Sequence, residues 1–104
     1  PTPVQQLNQD GVKALERNDT ARARRDFYKA YLFDPDDPFT LFNLGSVYQE
    51  LERTEEALKA LTRSLARSNP ADSIVRKLYA LITGCHRRLG RADTRAGSGR
   101  RDTA

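Results

Sequence analysis

The sequence predicts an all-α fold of helix-turn-helix units stacked side by side, two units followed by a closing helix. Three observations predict it: composition, a spacing of 34 residues between like residues, and breaks that recur at the same spacing. Charged residues make up 31% and hydrophobic residues 38% of the chain, with abundant Ala, Leu and Arg and little Val or Ile, which favours solvated helices over a sheet core. At 104 residues the chain fits one domain and has no room for a second, catalytic one.

The repetition is read residue by residue. Leu7 maps to Leu41, Gly11 to Gly45, Glu16 to Glu50, Thr20 to Thr54 and Ala23 to Ala57. In the first unit, about residues 4–37, apolar side chains recur at helical spacing as Leu7, Gly11, Ala14 and Leu15, then Ala23, Phe27, Ala30 and Tyr31. The second unit, about residues 38–71, repeats this with Leu41, Leu44, Gly45, Val47, Tyr48 and Leu51, then Ala57, Leu58, Leu61 and Leu65. Asn18-Asp19 and Arg53-Thr54 break each unit into two helices, and residues 34–38 and 68–72 separate the units.

The helix starts carry their own signals. Asp37 before Pro38 suits an N-cap, because its carboxylate accepts a free backbone N–H and proline at the first helical residue forfeits nothing. Thr54 before Glu55 and Glu56 predicts a second cap, with negative charge at the positive end of the helix dipole. A fifth helix is predicted over about residues 73–89, capped by Asp72 and stopped by Gly90. Residues 91–104 are rich in Gly, Ser, Thr, Asp and Arg and lack a hydrophobic face, which predicts a disordered basic tail. Gly11, Gly45, Ala23 and Ala57 are small where the helices of a pair would cross most closely, so a larger side chain there should pry the pair apart.

These residues resemble the tetratricopeptide repeat family, whose pattern runs large apolar, Leu-Gly, Tyr, then Ala, an aromatic and a closing Pro. The second copy supplies Leu41, Leu44-Gly45, Tyr48, Ala57, Leu61 and Pro70, the last one residue late. The first supplies Leu7, Gly11, Ala14, Ala23, Phe27, Ala30 and Pro35, with Asp10 where a leucine is usual. Tyr79, Ile82, Thr83, Leu89 and Gly90 look like the first helix of a third unit, and without a second helix it acts as the terminal cap such stacks require. The resemblance covers residues 4–90 and implies a short right-handed superhelix. An ordinary helical bundle is the competing architecture, and it too is all-α.

The resemblance implies a non-enzymatic protein-protein interaction module that holds an extended peptide or helix of a partner in a concave groove, in a scaffold or adaptor role. The residues facing that groove would be Gln5, Asn8, Val12, Phe39, Phe42, Ser46, Gln49, Lys77, Ala80 and Arg87. Phe39 and Phe42 lie away from the stripe formed by Leu41, Leu44, Gly45 and Tyr48. An exposed aromatic is costly unless it anchors something, so these two are the sharpest candidates, with Phe42 ranked first. The opposing reading packs both against the first unit or the chain start. Family members that bind chaperone tails use a cationic and amide clamp. Asn43 and Lys77 match it, but Asn8 replaces its lysine, Val12 its asparagine and Leu81 its later cation, leaving too few charge-assisted bonds for a terminal carboxylate.

Charge offers the rival function. Residues 1–86 carry 12 Lys or Arg against 12 Asp or Glu, whereas residues 87–104 carry 6 Arg against 2 Asp. The Arg-rich tail, with Arg87, Arg88, Arg91, Arg95, Arg100 and Arg101, is the alternative site, binding nucleic acid or an acidic surface nonspecifically by counterion release. It lacks interleaved aromatics for base stacking, so no specific nucleic acid is expected.

Cofactor and catalytic chemistry find no footing. Cys85 and His86 point about 100° apart on a helix and do not form a dyad. One His and one Cys do not furnish a zinc site. Asp34, Asp36 and Asp37 lack the Gly and distal Glu of a calcium loop, and Gly97-Ser98-Gly99 lacks the lysine of a phosphate loop. No cofactor or metal is expected. The longest apolar run, residues 78–82, is far below the roughly 20 residues of a membrane span. A lone cysteine demands no oxidising compartment, so the expected location is the cytoplasm. A chain that begins at Pro1 reads as a processed product or a piece of a longer protein, and self-association or membership of a longer repeat array is a further expectation.

Overall fold

In a computed structural model of the protein, the backbone is described for residues 1–102 and the side chains for residues 1–92. Five helices follow in order, α1 (Pro3–Glu16), α2 (Thr20–Phe33), α3 (Pro38–Glu50), α4 (Thr54–Arg67) and α5 (Ile74–Asp102), with no strand among the described residues. The all-α reading holds, and the helices are interrupted near the expected breaks, at residues 17–19, 34–37, 51–53 and 68–73, with Pro38 and Thr54 already helical.

Each start has a local cause. Thr2 and Gln5 form a capping box: Thr2 Oγ1 accepts from Gln5 N at 3.1 Å and Gln5 Oε1 accepts from Thr2 N at 3.0 Å, with Pro3 opening α1. Asp19 Oδ1 accepts from Arg22 N at 3.1 Å to start α2. Asp37 caps α3 as predicted, its Oδ2 accepting from Thr40 N at 2.9 Å and from Thr40 Oγ1 at 2.8 Å. Two cap expectations are corrected. Thr54 is the first residue of α4, and the cap position falls to Arg53, whose side chain makes no capping hydrogen bond. Arg53 instead pairs with Glu56 at 2.7 Å. Asp72 Oδ2 turns back to accept from Asn69 N at 2.9 Å, closing the loop before α5.

The tight turns inside both hairpins are built alike. Asn18 N–H donates to Leu15 O at 2.9 Å and Asp19 N–H to Ala14 O at 2.8 Å; Glu52 N–H donates to Gln49 O at 3.0 Å and Arg53 N–H to Tyr48 O at 2.8 Å. This is the paired bond pattern of a Schellman end, which needs a left-handed residue after the cap. Asn18 at φ 61° and Glu52 at φ 57° fill that place, 34 positions apart. Asparagine tolerates the conformation, whereas a glutamate Cβ is crowded by roughly 1–2 kcal/mol. Glu52→Gly is therefore expected to stabilise the chain by about 0.5–1 kcal/mol after glycine's unfolded-state entropy is charged against it, and Asn18→Gly by less, measured by urea unfolding.

Each helix packs on the next, α1 also touches α3, and α3 also touches α5, while α2 and α4 do not meet. Gly11 lets α1 lie directly on the Phe27 ring of α2. Gly45 does the same against Leu61 of α4, since a Cβ there would fall 2.5 Å from Leu61 Cγ. Ala14, Ala23, Phe27, Leu44 and Val47 form one buried cluster; Ala57, Leu61, Ile74, Leu78 and Cys85 form a second; half-buried Tyr48 packs against both. Asp36 in the α2–α3 loop accepts from Arg63 Nη2 at 3.1 Å and from Arg67 Nε at 2.5 Å, tying the loop to α4. The Arg67 and Arg63 hydrogen bonds hold the Asp36 carboxyl below its ordinary value.

Helix α5 does not stop at Gly90, as the sequence predicts, but continues to Asp102. Adding residues to a formed helix needs no new nucleus, and residues 91–102 contain no proline. The glycines there cost about 1 kcal/mol each without removing a backbone donor. The predicted disorder of residues 103–104 and the tail side chains from 93 onward lie outside the described residues.

Candidate functional site

The side-by-side arrangement of α1 and α3 leaves a groove whose floor is held by a polar chain. Asn8 Nδ2 donates to Thr40 Oγ1 at 2.8 Å and to Val4 O at 3.0 Å, while Asn8 Oδ1 accepts from Asn43 Nδ2 at 2.9 Å. Thr40, fully buried, donates its hydroxyl hydrogen bond to Asp37 Oδ2 of the cap. The helix start of α3 and the seating of α1 on α3 are therefore one hydrogen-bonded unit, with every amide hydrogen of Asn8 engaged.

Above that floor stand two apolar side chains, Val12 from α1 and Phe39 from α3, 39% and 46% exposed. They border a hollow of about 460 Å³ that also meets Lys13, Glu16 and Asn43. A second hollow of about 570 Å³ adjoins it through Asn8, Gln9 and Phe39 and reaches Val4, Gln5 and Asp37. The arrangement suits an apolar side chain laid between Val12 and Phe39, with Lys13 and Glu16 on the rim to meet opposite charges.

Of the residues singled out in the sequence, Asn8, Val12 and Phe39 line this one groove. Asn8 lines it as a structural bridge whose hydrogen bonds are already made. The ranking of the two phenylalanines reverses. Phe42 is half-buried, packed against the second core cluster of α4 and α5 residues and not against the first unit or the chain start, and Phe39 is the exposed ring. Ser46 Oγ spends its proton on Phe42 O at 3.0 Å, within its own helix. Gln49 Nε2 donates to Cys85 Sγ at 3.4 Å and so fastens α3 to α5. Gln5 completes the α1 capping box. Lys77, Ala80 and Arg87 are exposed on α5 and border none of the hollows along α1. The Asn8–Thr40–Asp37 chain escaped sequence reasoning. Its partners are 32 residues apart, and the one local signal was the Asp37 cap.

Cys85 is fully buried, and burial pushes its thiol above the ordinary value against the opposing influence of the Gln49 hydrogen bond and the Arg88 charge. A protonated, enclosed thiol is a poor nucleophile. His86 beside it is exposed. Among the described residues no group of three or more His, Cys, Asp or Glu is placed to hold a metal ion. No helix among them is long and apolar enough to cross a membrane.

Set against known proteins, the chain matches no protein-family model, and no curated protein or solved structure shows significant similarity to it.

Proposed function

We propose that residues 4–90 are a tetratricopeptide-like helical repeat, stacked as a short right-handed superhelix, that binds an extended peptide or helix of a protein partner in the groove between α1 and α3. The observation that carries the reading is the pair of half-exposed apolar side chains, Val12 and Phe39, facing one hollow over a floor in which Asn8 already makes its hydrogen bonds to Val4, Thr40 and Asn43. The amide hydrogens of Asn8 and the hydroxyl of Thr40 in that floor are already engaged, and large apolar side chains contribute most of the binding energy where an interface buries them fully. The repeat reading is supported by features that recur 34 positions apart: the left-handed turn residues Asn18 and Glu52, and the glycine contacts Gly11 on Phe27 and Gly45 on Leu61. It is supported too by a core divided into two clusters bridged by Tyr48 instead of closing round one centre. The role is non-catalytic and uses no cofactor.

A peptide-display selection on the immobilised full chain supplies ligands for the test. Binders that use the groove should lose at least tenfold in affinity, about 1.4 kcal/mol, with Phe39→Ala and again with Val12→Asp, while Phe42→Ala acts through stability instead. Both groove positions are partly open, so melting temperature should barely move. Unchanged affinity with both groove variants would count against the groove.

A further inference from the structure

On the opposite side of α3, helices α2 and α4 stand apart and leave a cleft of about 390 Å³. Its floor is apolar, made by Leu41, Leu44 and Tyr48 of α3. One wall is the Tyr28–Tyr31 stack of α2, with ring centroids 6.0 Å apart; the other carries Lys59 and Arg63 of α4. Tyr28 is 49% exposed, and past its ring lies a second hollow lined by Arg24, Arg25 and Lys29.

The charges round this cleft are unbalanced. Arg63 is spent on Asp36, and Glu56 on the α4 rim is spent on Arg53. Among the described residues Arg24, Arg25, Lys29 and Lys59 have no ion-pair partner, and Glu55, one turn before Lys59, is the unpaired anion near them, so unpaired cations outnumber it beside the aromatic wall. We infer that the α2–α4 cleft docks an acidic peptide segment, which lays an apolar side chain against Tyr28 and the α3 floor and sets its carboxylates toward Lys59 on one rim and Arg24, Arg25 and Lys29 on the other. Charge complementarity selects the acidic partner, and the apolar floor selects a peptide over a nucleic acid. Nucleic-acid bases stack on aromatic rings but gain less from the aliphatic Leu41 and Leu44 floor, and their phosphates would pass Glu56 on the way from one rim to the other.

This surface lies apart from the α1–α3 groove, and its test does not depend on that groove. A display library of Asp- and Glu-rich peptides with randomised apolar positions is selected on the full chain, and a selected peptide is titrated by fluorescence anisotropy beside a single-stranded oligo-dT. The expected result is a peptide whose affinity falls at least tenfold with Tyr28→Ala, falls again with Lys59→Glu, keeps most of its strength with Tyr28→Phe, and is indifferent to Phe39→Ala. Circular dichroism of each variant separates lost binding from lost fold, and Lys59→Glu, at an exposed site, keeps the test informative if Tyr28→Ala unfolds. Failure to select acidic binders, binders indifferent to both Tyr28→Ala and Lys59→Glu, or tighter binding of oligo-dT through the same residues would overturn the assignment.

Discussion

Replacing Phe27 by alanine should cost about 3–5 kcal/mol, the range for emptying a buried aromatic site. Phe27 is fully buried, belongs to the first core cluster with Ala14, Ala23, Leu44 and Val47, and supports α1 through the ring on which Gly11 rests. Its removal opens a hole beneath three helices at once. Two of the four other buried side chains in that cluster, Ala14 and Ala23, are too short to reach into it, so the site refills only in part and the loss should sit within that range. A domain of this size has total stability on the order of 5–10 kcal/mol, so Phe27→Ala should leave it unfolded or barely folded at 37 °C. Urea unfolding followed by circular dichroism measures the change, and a loss under 1 kcal/mol would mean that the ring is not the support described here.

Glycine to alanine should have opposite signs at two positions of this chain. At Gly11 the new Cβ would overlap the Phe27 ring, a fully buried side chain with no space to retreat, and the pair must separate. Overpacking of this kind costs about 1–3 kcal/mol, and the larger figure applies because the obstacle is rigid. Gly45→Ala meets Leu61 at 2.5 Å and should lose somewhat less, since an aliphatic chain can rotate where a ring cannot. Gly84, inside α5, has nothing within 4 Å of its added Cβ. There the ordinary preference of helices for alanine applies, and Gly84→Ala should gain up to about 1 kcal/mol. Thermal melts of the three variants in one buffer decide it. A loss at Gly84, or no loss at Gly11, would contradict the packing described.

Much of the architecture was legible because its signals are local. The 3.6-residue spacing of Leu7, Gly11 and Ala14, the Asp37-Pro38 start and the Asn18-Asp19 break each act within a few residues, and all three appear in the structure as read. The small residues at 11 and 45 foretold close helix crossings, and the structure puts one against Phe27 and the other against Leu61. The end of α5 was not legible. Gly90 weakens a helix without breaking its hydrogen bonds, so composition overstated its power to stop one. Asp72 meets Asn69 N instead of the α5 start because a capping side chain has several backbone donors in reach and the loop path decides which it meets, and Thr54 falls inside α4 because the turn ends one residue earlier, at Arg53.

The sequence by itself determined that the chain is helical, where its helices break, and which small residues mediate their closest approach, because propensity, turn chemistry and periodicity are short-range properties. Only the tertiary structure decided which exposed-looking residues are exposed. Phe42 and Phe39 are three positions apart on one helix, yet one packs on α4 and α5 residues and the other stands over open groove. That choice depends on how distant helices are set against α3, as does the bridging of Asn8 to Thr40 and the gap between α2 and α4 that exposes Tyr28 above an apolar floor. Burial is a property of neighbours, and neighbours from other helices are not written in the periodicity of one.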